Sequence, residues 1–177
     1  MSDTELDGRI REAIRDIPDF PTEGVVFRDI TTVLRDGPLF SDIVCHFADR
    51  YRQRDVERIV GIESRGFILG AALAHELEIG LTLVRQPGKL PYDTIGVDYA
   101  LEYGTDRVEV HTDAVEPSQR VVIVDDILAT GGTAAATVEL IDKLEAHIVD
   151  VGFMIELGFL AGREKLEDVP VYSVTCY

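Results

Sequence analysis

Apolar positions along the chain switch repeatedly between a helical and an extended period. Leu6, Ile10, Ala13 and Ile14 recur at helical spacing, and the pattern stops before Pro18. Pro18 to Gly24 is rich in turn formers and reads as a connector. Phe40, Ile43, Val44, Phe47, Ala48 and Tyr51 fall on one helical face. Arg58 to Ile62 reads as a short strand, Gly66 to Leu77 as a helix and Leu81 to Arg85 as another strand. Pro87 to Gly104 shows no sustained period and contains Gly88, Pro91, Gly96 and Gly104, which predicts a long mobile loop. Arg107 to His111 alternates, with Val108 and Val110 on one side. The unbroken apolar run Val121 to Val124 is typical of a strand buried on both faces. Ala134, Val138, Ile141 and Leu144 mark a helix after it, and Val149 to Ile155 and Val171 to Val174 give two further strands. Strands alternating with helices predict an α/β fold with a mostly parallel central sheet flanked by helices. Ligands in such sheets bind at the carboxyl ends of the strands.

The length of 177 residues suits one domain, 1–177. The net charge of −16 argues against a nucleic-acid partner, which calls for a basic face. Lysine occurs only at Lys89, Lys143 and Lys165, so the acidic composition fits either a high-salt adaptation or an ordinary acidic protein. The apolar run Gly66 to Ala74 is too short for a membrane span, and Asp3, Glu5 and Asp7 do not fit a signal peptide. Cys45 and Cys176 are isolated, in no metal-type spacing, and a reducing cytoplasm is the expected compartment.

The segment Val121 to Thr133 runs from strand through loop into helix. Thr130, Gly131, Gly132 and Thr133 put small residues where the helix begins, so backbone N–H groups can approach an anion and the helix dipole favours it. No Gly-Lys-Ser/Thr follows, which excludes a nucleotide-triphosphate P-loop, and no Gly-x-Gly-x-x-Gly supports a dinucleotide site. A valine at Gly131 is expected to block the anion while leaving the thermal transition near wild type. Asp125 and Asp126 stand just before this loop. Alone, such a pair is better read as a helix cap with a solvated neighbour. Beside Thr-Gly-Gly-Thr it suits a vicinal diol and a positive charge developing nearby.

This segment resembles the ribose-phosphate motif of the type I phosphoribosyltransferases. Asp19 to Ile30, Gly61 to Phe67, Pro87 to Pro91, Leu101 to Gly104 and Gly162 to Leu166 resemble, in the same order, the adenine-using branch of that family, so that the likeness runs from about Asp19 to Tyr177. The resemblance implies the type I phosphoribosyltransferase fold, with a small hood from about 1–35 and a mobile loop over the site. It implies transfer of the phosphoribosyl group from phosphoribosyl pyrophosphate to adenine, giving AMP and pyrophosphate, in a homodimer that binds neither nucleic acid nor membrane. By the same resemblance, Asp125, Asp126, Ala129, Thr130, Gly131, Gly132 and Thr133 take ribose 5-phosphate. Ser64, Arg65, Arg85 and Lys89 take pyrophosphate, with Arg85 a candidate to act across a dimer interface. Val26, Phe27, Arg28 and Glu102 take the base, Phe27 by stacking and Glu102 at the imidazole edge. Glu102, Asp125, Asp126 and Arg65 form the expected catalytic set. Mg²⁺ is the implied cofactor, bound through the substrate with no direct protein ligand and linked to Asp125 or Asp126 by water. Gln86 departs from the commoner Arg-Lys-Pro-Gly-Lys pattern and removes one positive charge from the pyrophosphate side. A relative using hypoxanthine, guanine or xanthine, and a non-catalytic sensor of purine or phosphoribosyl pyrophosphate, remain alternative readings.

Overall fold

The computed structural model describes residues 3–100 and 104–177. In chain order the elements are α1 (Asp3–Ala13), β1 (Arg15–Pro18), β2 (Val26–Asp29), α2 (Thr31–Leu34), α3 (Gly37–Arg52), β3 (Arg58–Ile62), α4 (Gly66–Leu77), β4 (Gly80–Val84), β5 (Thr94–Ala100), β6 (Thr105–His111), β7 (Arg120–Leu128), α5 (Gly132–Lys143), β8 (His147–Glu156) and β9 (Val171–Cys176). Two short 3₁₀ turns, Gly158–Leu160 and Gly162–Leu166, join β8 to β9.

Five strands form a parallel sheet in the order β4-β3-β7-β8-β9. From β3 the chain winds one way through α4 to β4, and from β7 the other way through α5 to β8. The order therefore reverses between β3 and β7, where an open α/β sheet forms a crevice at its carboxyl edge. The buried run in β7 divides cleanly by the strand period. Val122 and Val124 join a core with Ile10, Phe47, Leu69 and Leu73, whereas Val121 and Ile123 join one with Val108, Leu140, Val151 and Phe153. The first core seats α1, α3 and α4 on one face. The second seats α5 and the antiparallel ribbon β5–β6 on the other.

Local chemistry sets the element ends. Asp36 caps α3, its carboxylate accepting from the Leu39 N–H at 3.0 Å, with Pro38 in the first turn. Asp150, fully buried in β8, is paired with Arg50 at 2.7 Å and Arg54 at 3.3 Å and so ties α3 to the sheet. Burial pushes its carboxyl up, and these arginines oppose that shift.

The structure departs from the sequence expectation in two places. The stretch read as a structureless loop contains β5, in which Ile95, Val97 and Tyr99 alternate with Gly96 and Asp98 and pair with β6 in register. The two-residue period is present there, but Gly96 breaks the β-propensity that would make it stand out. Pro18 to Gly24 connects, as expected, but between two strands of a hairpin, β1–β2. β1 has a single half-buried side chain, so its formation depends on pairing with β2 and carries no hydrophobic signature of its own.

Gly152 tests how α3 rests on the sheet. A Cβ there would lie 2.6 Å from the Tyr51 hydroxyl and 3.0 Å from the Phe47 ring. Gly152→Ala is expected to lower unfolding stability by about 1–3 kcal/mol through overpacking, seen as a lower urea midpoint. An unchanged midpoint would show that α3 does not sit this close to β8.

Candidate functional site

Because the sheet is parallel, the loops after β3, β4, β7 and β8 leave the same edge. They are laced together there: the Glu63 N–H donates to the Val84 carbonyl at 2.9 Å, and the Leu157 N–H to the Leu128 carbonyl at 2.9 Å. The β1–β2 hairpin stands over this edge. Its foot is Asp29, which accepts from Arg15 at 2.5 Å and from the Thr31 N–H at 2.9 Å. Thr31 and Arg15 together hold the Asp29 carboxyl down at about 2.

A cleft of about 360 Å³ opens between hairpin and sheet edge. Its hood wall is Val25 to Arg28, its floor Asp125, Asp126 and Ile127, and its sides the Glu63–Arg65 turn, Ala129, Thr133 and Leu157. Phe27 meets Phe20 edge-on at 5.2 Å. The Arg28 guanidinium is ion-paired with Asp16 and lies 4.2 Å over the Tyr177 ring. A smaller hollow of about 90 Å³ adjoins the cleft and is formed by Asp125 and the whole loop from Ile127 to Ala134, with Phe153 beneath.

The floor is defined by charge. Burial pushes the Asp125 carboxyl well up, the adjoining charge of Asp126 pushes the same way, and Arg65 pulls back. Asp125 accepts from the Asp126 N–H at 2.8 Å, and Asp126 accepts from Arg65 Nε at 2.5 Å. Asp126 is only 3% exposed, so its negative charge needs that partner. Burial works against the Arg65 charge, but Asp126 outweighs it and keeps the guanidinium protonated. The contact uses one of five N–H donors, which leaves the rest of the fork for an anion. Arg85 is likewise paired with Glu63, at 2.8 Å through Nη2, and the Arg85 bond holds the Glu63 carboxyl low.

Two glycine contacts shape the anion loop. Gly131 caps α5 with φ of 75°, and a Cβ on it would lie 2.3 Å from the Gly162 carbonyl oxygen. A Cβ on Gly162 would lie 2.1 Å from the Ala129 carbonyl oxygen. The loop and the second 3₁₀ turn therefore meet backbone to backbone, and neither position tolerates a side chain. What results is a helix N-terminus, whose dipole favours an anion, beside two carboxylates and under an apolar ledge of Phe27 and Leu157.

The sequence profile of the phosphoribosyl transferase domain matches residues 32–176. An adenine phosphoribosyltransferase of Syntrophotalea carbinolica is 56% identical over 165 residues, which cover 93% of this chain and 96% of the relative. The chain belongs to the adenine phosphoribosyltransferases. The solved adenine phosphoribosyltransferase of Thermoanaerobacter pseudethanolicus superposes with a TM-score of 0.92 at 45% identity, covering 96% of this chain and 99% of that one. That of Saccharomyces cerevisiae, complexed with adenine and an imino-altritol bisphosphate, has a TM-score of 0.92 at 38% identity over 97% and 99% of the two chains.

Of the residues singled out in this phosphoribosyltransferase from sequence, the cleft brings together Val26, Phe27, Arg28, Ser64, Arg65, Asp125, Asp126, Ala129 and Thr133. Thr130, Gly131 and Gly132 line the adjoining hollow. Arg85 stands apart from both, in a neighbouring hollow with Glu63, Tyr99 and Thr133. Lys89 is exposed, and its carbonyl accepts from Arg85 at 3.2 Å. Glu102 lies outside the described residues. Sequence reasoning missed Glu63, Leu157, Tyr99 and the partnership of Gly131 with Gly162. Gly162 belongs to a quoted motif, but no spacing rule connects it to a loop 31 positions away. Among the described residues, no group of three or more His, Cys, Asp and Glu side chains could hold a metal ion. No helix among them is long and apolar enough to cross a membrane.

The Gly131–Gly162 contact corrects the expectation that a side chain at Gly131 would spare the thermal transition. Gly131→Ala is expected to lose about 2 kcal/mol or more of stability, from the left-handed conformation and the backbone clash together, and to weaken ribose 5-phosphate binding at least ~10-fold. Gly24, with φ of 86° and open space around it, is the control for conformation alone. Calorimetry and thermal melts of both variants check this. Equal effects at the two glycines would remove the contact from the account.

Proposed function

We propose that the cleft transfers the phosphoribosyl group of phosphoribosyl pyrophosphate to N9 of adenine, releasing AMP and pyrophosphate. The observation that carries this reading is the meeting, in one cleft, of an anion-binding helix start, two carboxylates at the end of β7 and an apolar ledge on the hood. The adenine held by the yeast relative supports the choice of base.

In this reading the 5′-phosphate lies in the Ala129–Thr133 loop, a remote handle that fixes the reacting carbon in place. Asp125 and Asp126 accept from the ribose hydroxyls. As the bond from the anomeric carbon to pyrophosphate breaks and the bond to N9 forms, positive charge builds on the ring, and the same carboxylates stabilise it. Burial and the Asp126 charge push the Asp125 carboxyl up, and positive charge on the ring pulls the other way. Ser64 and Arg65 face the departing pyrophosphate; Arg85, in the neighbouring hollow, and the exposed Lys89 would reach it from outside the cleft. Glu102 takes the N9 proton. The carboxylate pair offers the oxygen acceptors that suit the waters of a magnesium ion carried by the substrate. The ion would neutralise charge on the leaving group. One domain, a homodimer and a cytoplasmic setting complete the proposal, the last supported by two free cysteines, Cys45 and Cys176.

Selectivity rests on backbone groups. The Val26 carbonyl and the Arg28 N–H would face the Watson–Crick edge, with Phe27 against the ring. Adenine offers an amino donor and the N1 acceptor to such a pair, whereas hypoxanthine offers the reverse. Each buried mismatch costs about 1–3 kcal/mol, so kcat/KM for adenine should exceed that for hypoxanthine or guanine by roughly 10²- to 10⁴-fold. Val26→Ala should leave this ratio nearly unchanged. A purine panel with phosphoribosyl pyrophosphate and Mg²⁺ measures it. Comparable turnover of hypoxanthine or guanine would transfer the assignment to a broader purine enzyme, and binding without turnover would make the protein a sensor.

A further inference from the structure

The hood has little apolar surface of its own to hold it against the body. In β1 only Ile17 is half-buried, and Val25 and Val26 are exposed. The body meets the hood instead with the ring of Tyr177. Arg28 lies directly opposite Asp16 in the hairpin register and is ion-paired with it. Its guanidinium stands 4.2 Å from the centre of the Tyr177 ring. Arg11 of α1, held by Asp7 at 2.9 Å, lies 4.6 Å over the same ring. A cation over an aromatic face is attracted by the ring quadrupole, so Tyr177 gathers two guanidinium groups, each already matched by its own carboxylate. One belongs to α1 and the other to the hood.

The main chain of Tyr177 is fixed to the other wall of the cleft. Its N–H donates to the Glu156 carbonyl at 2.9 Å, and its carbonyl accepts from the Gly158 N–H at 3.0 Å. Those two residues flank Leu157. Residue 177 therefore grips both neighbours of Leu157 with its backbone and grips Arg28, the neighbour of Phe27, with its ring. Phe27 and Leu157 line the cleft, whereas Tyr177 does not. It packs instead against the core that seats α1 and α3. The separation of the two apolar walls is thus spanned by one residue outside the cleft. Any side chain at 177 keeps the main-chain bonds, and only an aromatic one keeps the hold on Arg28.

We propose that Tyr177 is a positioning residue for the base: its ring holds Arg28, and with it β2, at the distance from Leu157 that adenine recognition requires. The inference rests on the adenine-transfer reading above. The effect is confined to the base, because the 5′-phosphate loop is held by Gly131 against Gly162 and not by this contact.

Tyr177→Leu keeps apolar bulk and removes the aromatic face, whereas Tyr177→Phe keeps the face and removes only the hydroxyl. Tyr177→Leu should raise the adenine KM about fivefold, in the range of one cation–π contact, with the KM for phosphoribosyl pyrophosphate moving less than about twofold. The preference for adenine over hypoxanthine should narrow as the backbone readers of the hood lose their fixed place. Tyr177→Phe should match the wild type in both KM values. In an Arg28→Met background, which has no cation for the ring to hold, Tyr177→Leu should add less than about twofold. Steady-state kinetics with both substrates read these effects, and a thermal melt accompanies each variant. An adenine KM unmoved by Tyr177→Leu overturns the proposal, as does a Phe variant impaired as fully as the Leu variant. Both KM values rising together with a fall in the thermal midpoint would also overturn it, by making the ring a general support of the fold. A wild-type protein that does not turn adenine over defeats the adenine-transfer reading, and this proposal with it, before any variant is made.

Discussion

Two adjacent carboxylates near the carboxyl end of the central strand, just past its pairing with β3, are the constraint around which the cleft is built. β7 is flanked on both sides by parallel strands, and its last residues emerge between the turn after β3 and the loop before α5. Burying Asp125 and Asp126 there is unfavourable unless the surroundings compensate. Arg65 compensates Asp126 directly. Asp125 draws on the Asp126 N–H and remains raised. The first residue of α4 has to be Gly66, because a Cβ there would lie 2.7 Å from the Val124 carbonyl and 2.9 Å from Asp125 Oδ1. The helix that delivers Arg65 can come close enough only without that side chain. The anion loop is fixed with the same economy of atoms by Gly131 against Gly162.

This arrangement also bears on how an acidic protein takes an acidic substrate. With a net charge of −16, long-range steering opposes the encounter. At about 0.1 M salt the Debye length is ~10 Å, so the field acting on a docking substrate is local. Locally, the Arg65 and Arg85 guanidinium groups are already oriented, but by Asp126 and Glu63. The carboxylates hold each fork in place while the cleft is empty, at the expense of part of its attraction for an anion. Gln86 adds no charge here; its N–H serves Glu63 at 2.9 Å. A substrate that brings its own cation is the kind of ligand such a balanced site accepts.

Much of this was legible in the sequence, for identifiable reasons. The buried run at Val121 to Val124 and the small residues at Thr130 to Thr133 carry strong local signals, because a doubly buried strand and a helix start at an anion site restrict residue type. They located β7, α5 and the floor of the cleft. The hood was legible only through family likeness. β1 and β2 are short and largely exposed, and their pairing has no hydrophobic pattern. β5 carried its alternation openly in Ile95, Val97 and Tyr99, yet the glycines around it suggested a loop. Glu63 and Leu157 follow strand ends and have no distinguishing neighbours. Their place in the cleft arises from sheet order, which single-sequence periodicity does not encode. The contact of Gly131 with Gly162 is likewise a tertiary fact.

The central claim is that the carboxylate pair serves the reacting ribose and is not merely the buried anchor of Arg65. The most direct measurement is kcat of the Asp125→Asn, Asp126→Asn double variant with adenine, phosphoribosyl pyrophosphate and Mg²⁺. Asparagine preserves shape and hydrogen bonding while removing both charges. The account predicts a folded protein whose kcat falls at least ~10²-fold, about 3 kcal/mol of lost electrostatic stabilisation. A kcat within a few-fold of wild type would contradict it and return Asp125 and Asp126 to a structural role.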